Sequence, residues 1–198
     1  FAAHQLRLLK QRGITEVVFL VQHRAEDIIQ QIGDGAKFGL KVKYVGDGEQ
    51  ACGTGGAIRH ALPLLGDAFF VLYGDTYLDC DYAALEQTFA ASHTRGLMTV
   101  YPNDNRWDRS NVLFEDGRIR RYDKYLPSSN MRHIDAGAGL FSRHAFVGYP
   151  AGPLDLGSVY QMLSRLNSLT GVEVPNRFYE IGSLAGLAET QAYFNQEG

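Results

Sequence analysis

The stretch FFVLYGDTYL, residues 69–78, runs five apolar or aromatic residues into Gly74-Asp75. Phe69, Phe70, Val71, Leu72 and Tyr73 fit a fully buried strand, because strands covered on both faces read as continuous apolar runs. A carboxylate at the end of such a strand is costly unless something compensates it. Two compensations stay open here: a turn or cap leading into the next helix, or a metal ion at the strand's end. Gly74 allows a sharp turn and leaves room for a ligand.

Outward from this stretch, helix and strand patterns alternate. FAAHQLRLLKQRG (1–13) reads as a helix with Phe1, Ala2, Leu6 and Leu9 on one face and Gly13 as its stop. TEVVFLV (15–21) is a strand pattern, RAEDIIQQIG (24–33) a helix closed by Gly33, and LKVKYVG (40–46) a strand alternating Leu40, Val42 and Tyr44 with lysines. GTGGAIRHALPLL (53–65) reads as a glycine-rich turn running into a helix. Downstream, DYAALEQTFAAS (81–92) is helical and GLMTVYP (96–102) is a strand. NVLFEDGRIRRYDKY (111–125) is a hairpin turning at Asp116-Gly117. HIDAGAGLFS (133–142) is a strand and DLGSVYQMLSRLNS (155–168) a helix. FYEIGSLAGLAETQAYF (178–194) is a strand end, a Gly-Ser cap and a final helix. The alternation predicts an α/β fold: a Rossmann-like, mostly parallel sheet flanked by helices, with a small antiparallel extension from the hairpin. One domain, 1–198, is the simplest reading.

The chain has 198 residues, 45% hydrophobic and 21% charged, with net charge -3. That length supports one sizeable core. The absence of a basic stripe argues against nucleic acid as a partner, since phosphate neutralisation needs clustered Lys and Arg. No apolar stretch approaches the roughly 18 residues of a membrane span. Cys52 and Cys80 have no metal-type spacing and read as reduced cytoplasmic thiols.

In open α/β sheets, ligands bind beyond the carboxyl ends of the strands. Asp75 stands at such an end, and Glu180 in FYEIGS repeats the pattern. Two strand-end carboxylates suit a shared Mg2+, which prefers oxygen ligands; each alone is more simply a helix cap. GTGGA (53–57) suits a close backbone approach to a phosphate or base at a helix start, but it lacks the P-loop Lys and the GxGxxG spacing. Lys124 in YDKYLP is, taken alone, a solvated surface lysine.

Taken in order, GTGGAIRHAL, FFVLYGDTYL, YDKY, IDAGAGLF and FYEIGSLAGL resemble the sugar-1-phosphate nucleotidyltransferases over nearly the whole chain. DRSNVLFEDGRIRRYDKY and IDAGAGLF look most like the branch containing D-glycero-D-manno-heptose 1-phosphate guanylyltransferase. The resemblance implies transfer of a nucleoside monophosphate from a nucleoside triphosphate to a sugar 1-phosphate, with Mg2+, in polysaccharide or lipopolysaccharide biosynthesis. It implies that Gly53, Thr54, Gly55, Gly56 and Gly74 bind the nucleotide. Asp75 and Glu180 would hold the metal. Lys124 would contact the sugar phosphate and, with Asp75, serve catalysis; Asn111, Asp135, Ala136 and Gly137 would line the sugar site. Asp123, Tyr125, Asn111 and Glu180 depart from the family's usual residues at their positions. His133 is read as structural, because a phosphate nucleophile needs no general base.

The family begins with a strand and a glycine-rich loop whose Arg and Lys bind the triphosphate. No such segment precedes Phe1 in this sequence, so the expectation is an N-terminally incomplete domain, inactive or weak as it stands. Two rivals remain: an inactive nucleotide-sugar binding or regulatory unit of the same fold, and another α/β nucleotide enzyme such as a dehydrogenase. The oligomeric state is left open, a homodimer included.

Overall fold

A computed structural model describes residues 1–46 and 51–197. In chain order the elements are α1 (Ala2–Gln11), β1 (Glu16–Val21), α2 (Ala25–Ile32), β2 (Lys41–Gly46), α3 (Gly53–Ala61), β3 (Ala68–Leu72), β4 (Thr76–Tyr77) and α4 (Tyr82–Ser92). There follow β5 (Gly96–Pro102), β6 (Val112–Glu115), β7 (Arg118–Tyr122), β8 (His133–Ser142), α5 (Leu156–Arg165), β9 (Leu169–Glu173), β10 (Tyr179–Glu180) and α6 (Leu184–Glu197). Asp81 caps α4 by accepting from the Ala84 N–H, and Asp155 caps α5 by accepting from Gly157. Asp116 and Gly117 both have positive φ, at 51° and 71°, the conformation that a two-residue hairpin turn demands.

The larger sheet has six strands in the order β3-β8-β5-β9-β7-β6. The β5–β9 ladder is parallel, while β8 runs antiparallel to both β3 and β5. Strands β3, β5, β9 and β6 therefore share one direction, and β8 and β7 oppose it. A separate parallel pair, β1–β2, lies under α1 and α2. Strands β5 and β8 are buried on both faces: Leu97 and Leu140 pack on one side with Tyr82 and Leu85 of α4, Met98 and Phe141 on the other with Tyr160 and Leu163 of α5. Alternating side chains make that division unavoidable. Each fully buried large side chain contributes about 1.5–3 kcal/mol.

Two expectations need correction. The opening apolar run is not fully buried: Phe69 is buried, but Phe70, Val71 and Leu72 are half-buried. The cause is position, since β3 is the edge of the six-stranded sheet and pairs with β8 alone among the described residues. Its other side faces a cavity of about 1060 Å³, also lined by Val17, Phe19 and Val21 of β1. The glycine-rich stretch is not a turn before a helix. Helix α3 starts at Gly53, so Gly55 and Gly56 lie inside it. Glycine inside a helix costs about 1 kcal/mol relative to alanine, so something else must hold those positions.

Candidate functional site

The site grows from the turn that ends β3. The Thr76 N–H donates to the Tyr73 carbonyl at 3.2 Å, closing a tight turn around Gly74 and Asp75. No positive φ is needed at Gly74, and a methyl group added there would meet nothing within 4 Å. After the turn, β4 pairs antiparallel with β10, Thr76 opposite Glu180. That ladder places Asp75 beside Ile181, whose N–H donates to the Asp75 carbonyl at 3.0 Å.

The two strand-end carboxylates converge across Gly182. A methyl group there would lie 3.2 Å from both Asp75 Oδ2 and Glu180 Oε2, so the two oxygens are no more than twice that distance apart. Glu180 also serves as a cap. Its Oε2 accepts from the Gly182 N–H at 2.5 Å and the Ser183 N–H at 3.0 Å, and its Oε1 accepts from the Ser183 hydroxyl at 2.6 Å. The Ser183 hydroxyl in turn accepts from the Gly186 N–H at 2.9 Å. Negative charge is favoured at that helix end. Gly186 makes this possible, because a side chain there would collide with the Glu180 carboxylate. The cap reading and the convergence with Asp75 therefore hold together.

Asp135 sits beside this edge, on β8. Between Met98 and Val100 the β5–β8 register shifts, and at the same place Gly137 has φ +92°. A Cβ on Gly137 would come within 2.5 Å of the Thr76 methyl, so only glycine lets β8 pass so close to the Asp75 turn. Asp135 is half-buried, and its carboxylate accepts from the Tyr73 hydroxyl at 3.1 Å and the Gly137 N–H at 2.9 Å. Burial pushes its carboxyl up to about 6, against the pull of those two donors and of the Lys124 charge. Ala136 points instead into the apolar cluster with Leu97 and Leu140.

Asn111 ties Asp135, Asp123 and His133 together. Its side-chain oxygen accepts from the Asp135 N–H at 3.2 Å, its carbonyl accepts from the Asp123 N–H, and its N–H donates to the His133 carbonyl. Asp123 shapes the next loop, accepting from the N–H groups of Tyr125 at 3.1 Å and Leu126 at 2.8 Å and from Arg121 at 3.0 Å. Lys124 is exposed on that loop, close enough for its charge to act on Asp135. His133 is bound to Glu173 at 2.9 Å and packs edge-on against Phe114.

The glycine-rich start of α3 has a partner already. A Cβ on Gly55 would meet the Leu154 side chain at 2.9 Å, and one on Gly53 would meet the Leu154 carbonyl at 2.6 Å. The Gly56 N–H donates to the Leu154 carbonyl at 3.0 Å, the Leu154 N–H to the Cys52 carbonyl at 2.8 Å, and the Leu156 N–H to the Thr54 hydroxyl at 2.9 Å. Gly53 and Thr54 still line the large cavity together with Tyr73 and Gly74, whereas Gly55 and Gly56 do not.

The Asp75–Glu180 pair suits Mg2+, which takes one or two carboxylates and completes its shell with water and substrate phosphates. Among the described residues no third Asp, Glu, His or Cys joins them in a metal-binding group. Sequence reasoning missed Gln5, Gly182 and Gly186, since a glutamine in a helix and single glycines carry no chemical signature until their neighbours are known.

N-acetylmuramate alpha-1-phosphate uridylyltransferase from Neisseria meningitidis serogroup B is 29% identical over 191 residues, covering 93% of this chain and 80% of that protein. D-glycero-alpha-D-manno-heptose 1-phosphate guanylyltransferase from Campylobacter jejuni is 37% identical over 78 residues, covering 39% of this chain and 34% of that protein. The crystal structure of HddC from Yersinia pseudotuberculosis superposes with a TM-score of 0.80 at 18% identity, covering 98% of this chain and 85% of that one, which establishes the shared fold. The nucleotidyl transferase family matches residues 1–110, more than half of the sequence, and the chain belongs to that family.

Proposed function

We propose that this chain transfers a nucleoside monophosphate from a nucleoside triphosphate to a sugar 1-phosphate. A phosphate oxygen of the sugar 1-phosphate attacks the α-phosphorus in line. The bond from that phosphorus to the bridging oxygen breaks, and pyrophosphate leaves. No proton has to be removed from the nucleophile, because it is already ionised at neutral pH. The observation that carries this reading is the convergence of Asp75 and Glu180 across Gly182, beside Asp135, on which the Lys124 charge acts. Bound by those two carboxylates, Mg2+ would offset charge on the transferring phosphoryl group. Lys124 orients the sugar phosphate, Asp135 and Asn111 face the sugar, and Gly53, Thr54 and Gly74 border the nucleotide. A working place in the cytoplasm fits the triphosphate substrate.

Pyrophosphate release by the full-length protein tests the reading, with UTP, GTP and dTTP each crossed against N-acetylmuramate, heptose and glucose 1-phosphates. Release with at least one pair is expected, and Lys124→Ala should cut turnover at least tenfold, about 1.4 kcal/mol, chiefly through the sugar phosphate. Tight nucleotide binding with no release for any pair would support an inactive binding unit instead.

A further inference from the structure

Helix α1 packs through Gln5, Leu6, Leu8 and Leu9, all buried. Three of these are leucines, as a helix face under a sheet requires. Gln5 is the exception, only 9% exposed, and a buried amide needs partners. Its two N–H bonds go to two main-chain carbonyls, Tyr73 at 3.1 Å and Thr76 at 2.8 Å. Those carbonyls are the first and last of the four-residue turn that carries Gly74 and Asp75. A side chain some seventy residues away in sequence thus closes the turn from beneath, at both ends.

The rest of the turn shows why that matters. Above it the space over Gly74 is open, and Asp75 Oδ2 faces Gly182. Beside it the Asp75 carbonyl accepts the Ile181 N–H, which leads to Glu180. The Tyr73 hydroxyl reaches Asp135. The position of the Asp75 carboxylate relative to Glu180, and of Tyr73 relative to Asp135, depends on one four-residue turn, and Gln5 is the side chain that grips it from the core.

We propose that Gln5 is a positioning residue for Asp75, holding the turn so that the Asp75 and Glu180 carboxylates stay converged on one divalent cation. The inference rests on the reading of those carboxylates as a metal pair. It concerns the helix behind the site rather than any group that touches substrate.

The experiment uses the intact protein and Mn2+, whose paramagnetic resonance signal reports free ion directly. Gln5→Met keeps the length and volume of the side chain and removes both N–H donors. In that variant the Mn2+ dissociation constant should rise at least fivefold. Hydrogen exchange at the Thr76 and Ile181 amides should quicken at least tenfold, while the Leu140 amide in the sheet centre keeps its rate. Faster exchange with unchanged Mn2+ affinity would make Gln5 a stabilising residue only and overturn the proposal, as would no change in either. Should Gln5→Met fail to fold, Gln5→Asn, which keeps the amide but withdraws it by one methylene, takes the same two measurements with the same criteria. Asp75→Asn separates the two levels of the argument. If it leaves Mn2+ affinity untouched, the metal reading itself is wrong. If it weakens Mn2+ binding and Gln5→Met does not, only the role of Gln5 is wrong.

Discussion

Gly55 and Gly74 both belong to stretches that the family resemblance assigns to the nucleotide, yet a methyl group at Gly55 meets Leu154 at 2.9 Å and one at Gly74 meets nothing within 4 Å. The first glycine is explained by the protein's own packing, the second only by space left outside it. A glycine that a neighbouring segment already fills is evidence about folding. A glycine over open space, beside two converging carboxylates, is evidence about a ligand. On the proposed function the Asp75–Glu180 edge is the chemical end of the molecule, and the start of α3 is in large part a packing surface.

The sharpest break of this contrast is Asp75→Ala. Losing one carboxylate of the pair should lower turnover about 100-fold or more while leaving the unfolding midpoint within a few degrees. Unchanged turnover would remove the carboxylate edge from the chemistry altogether.

Asp135 comes next, the half-buried carboxylate beside that edge. Its folded carboxyl is pushed up to about 6 by burial, above the unfolded value. Between pH of about 4 and 6 the folded state thus holds the proton that the unfolded state has lost, so stability falls as pH rises through that window. The loss is about 3 kcal/mol in all. Urea unfolding of Asp135→Asn should lack this slope and show a more stable protein at pH 7. A slope shared by both proteins would assign it to another group.

The smallest effects come from the glycines themselves. Gly55→Ala gains about 1 kcal/mol of helix propensity but overpacks against Leu154 at a cost of about 1–3 kcal/mol. Leu154 cannot retreat, because its N–H and carbonyl are bonded to Cys52 and Gly56. A net loss of about 1 kcal/mol is expected, visible as a lower melting temperature. Gly74→Ala should instead leave stability unchanged or raise it by about 0.5 kcal/mol, since the turn uses no positive φ there. Its effect should fall on substrate binding, and a measurement of both quantities in both variants would show whether the two glycines separate as stated.

Gly55→Arg would not serve as a test of the nucleotide pocket. It would first dislodge Leu154 and the start of α5, so lost binding would report damage to packing.

Much of this was legible in the sequence because it depends on local chemistry. Apolar periodicity in residues 2–11 and alternation in residues 41–46 select helix and strand through side-chain direction alone. Asp116-Gly117 names its own turn through the positive φ that both residues accept. Asp75 and Glu180 stand out because carboxylates at apolar strand ends require an explanation, and Glu180 acts as the cap its Gly-Ser neighbours suggest. The tertiary structure decided everything that depends on who the neighbour is. It made the run at residues 69–72 an edge strand, gave Gly53, Gly55 and Gly56 to Leu154, and brought Gln5 under the Asp75 turn. A sequence specifies which faces a residue can present, whereas burial, close approach and hydrogen-bond partners across some seventy or more positions exist only once the chain has folded.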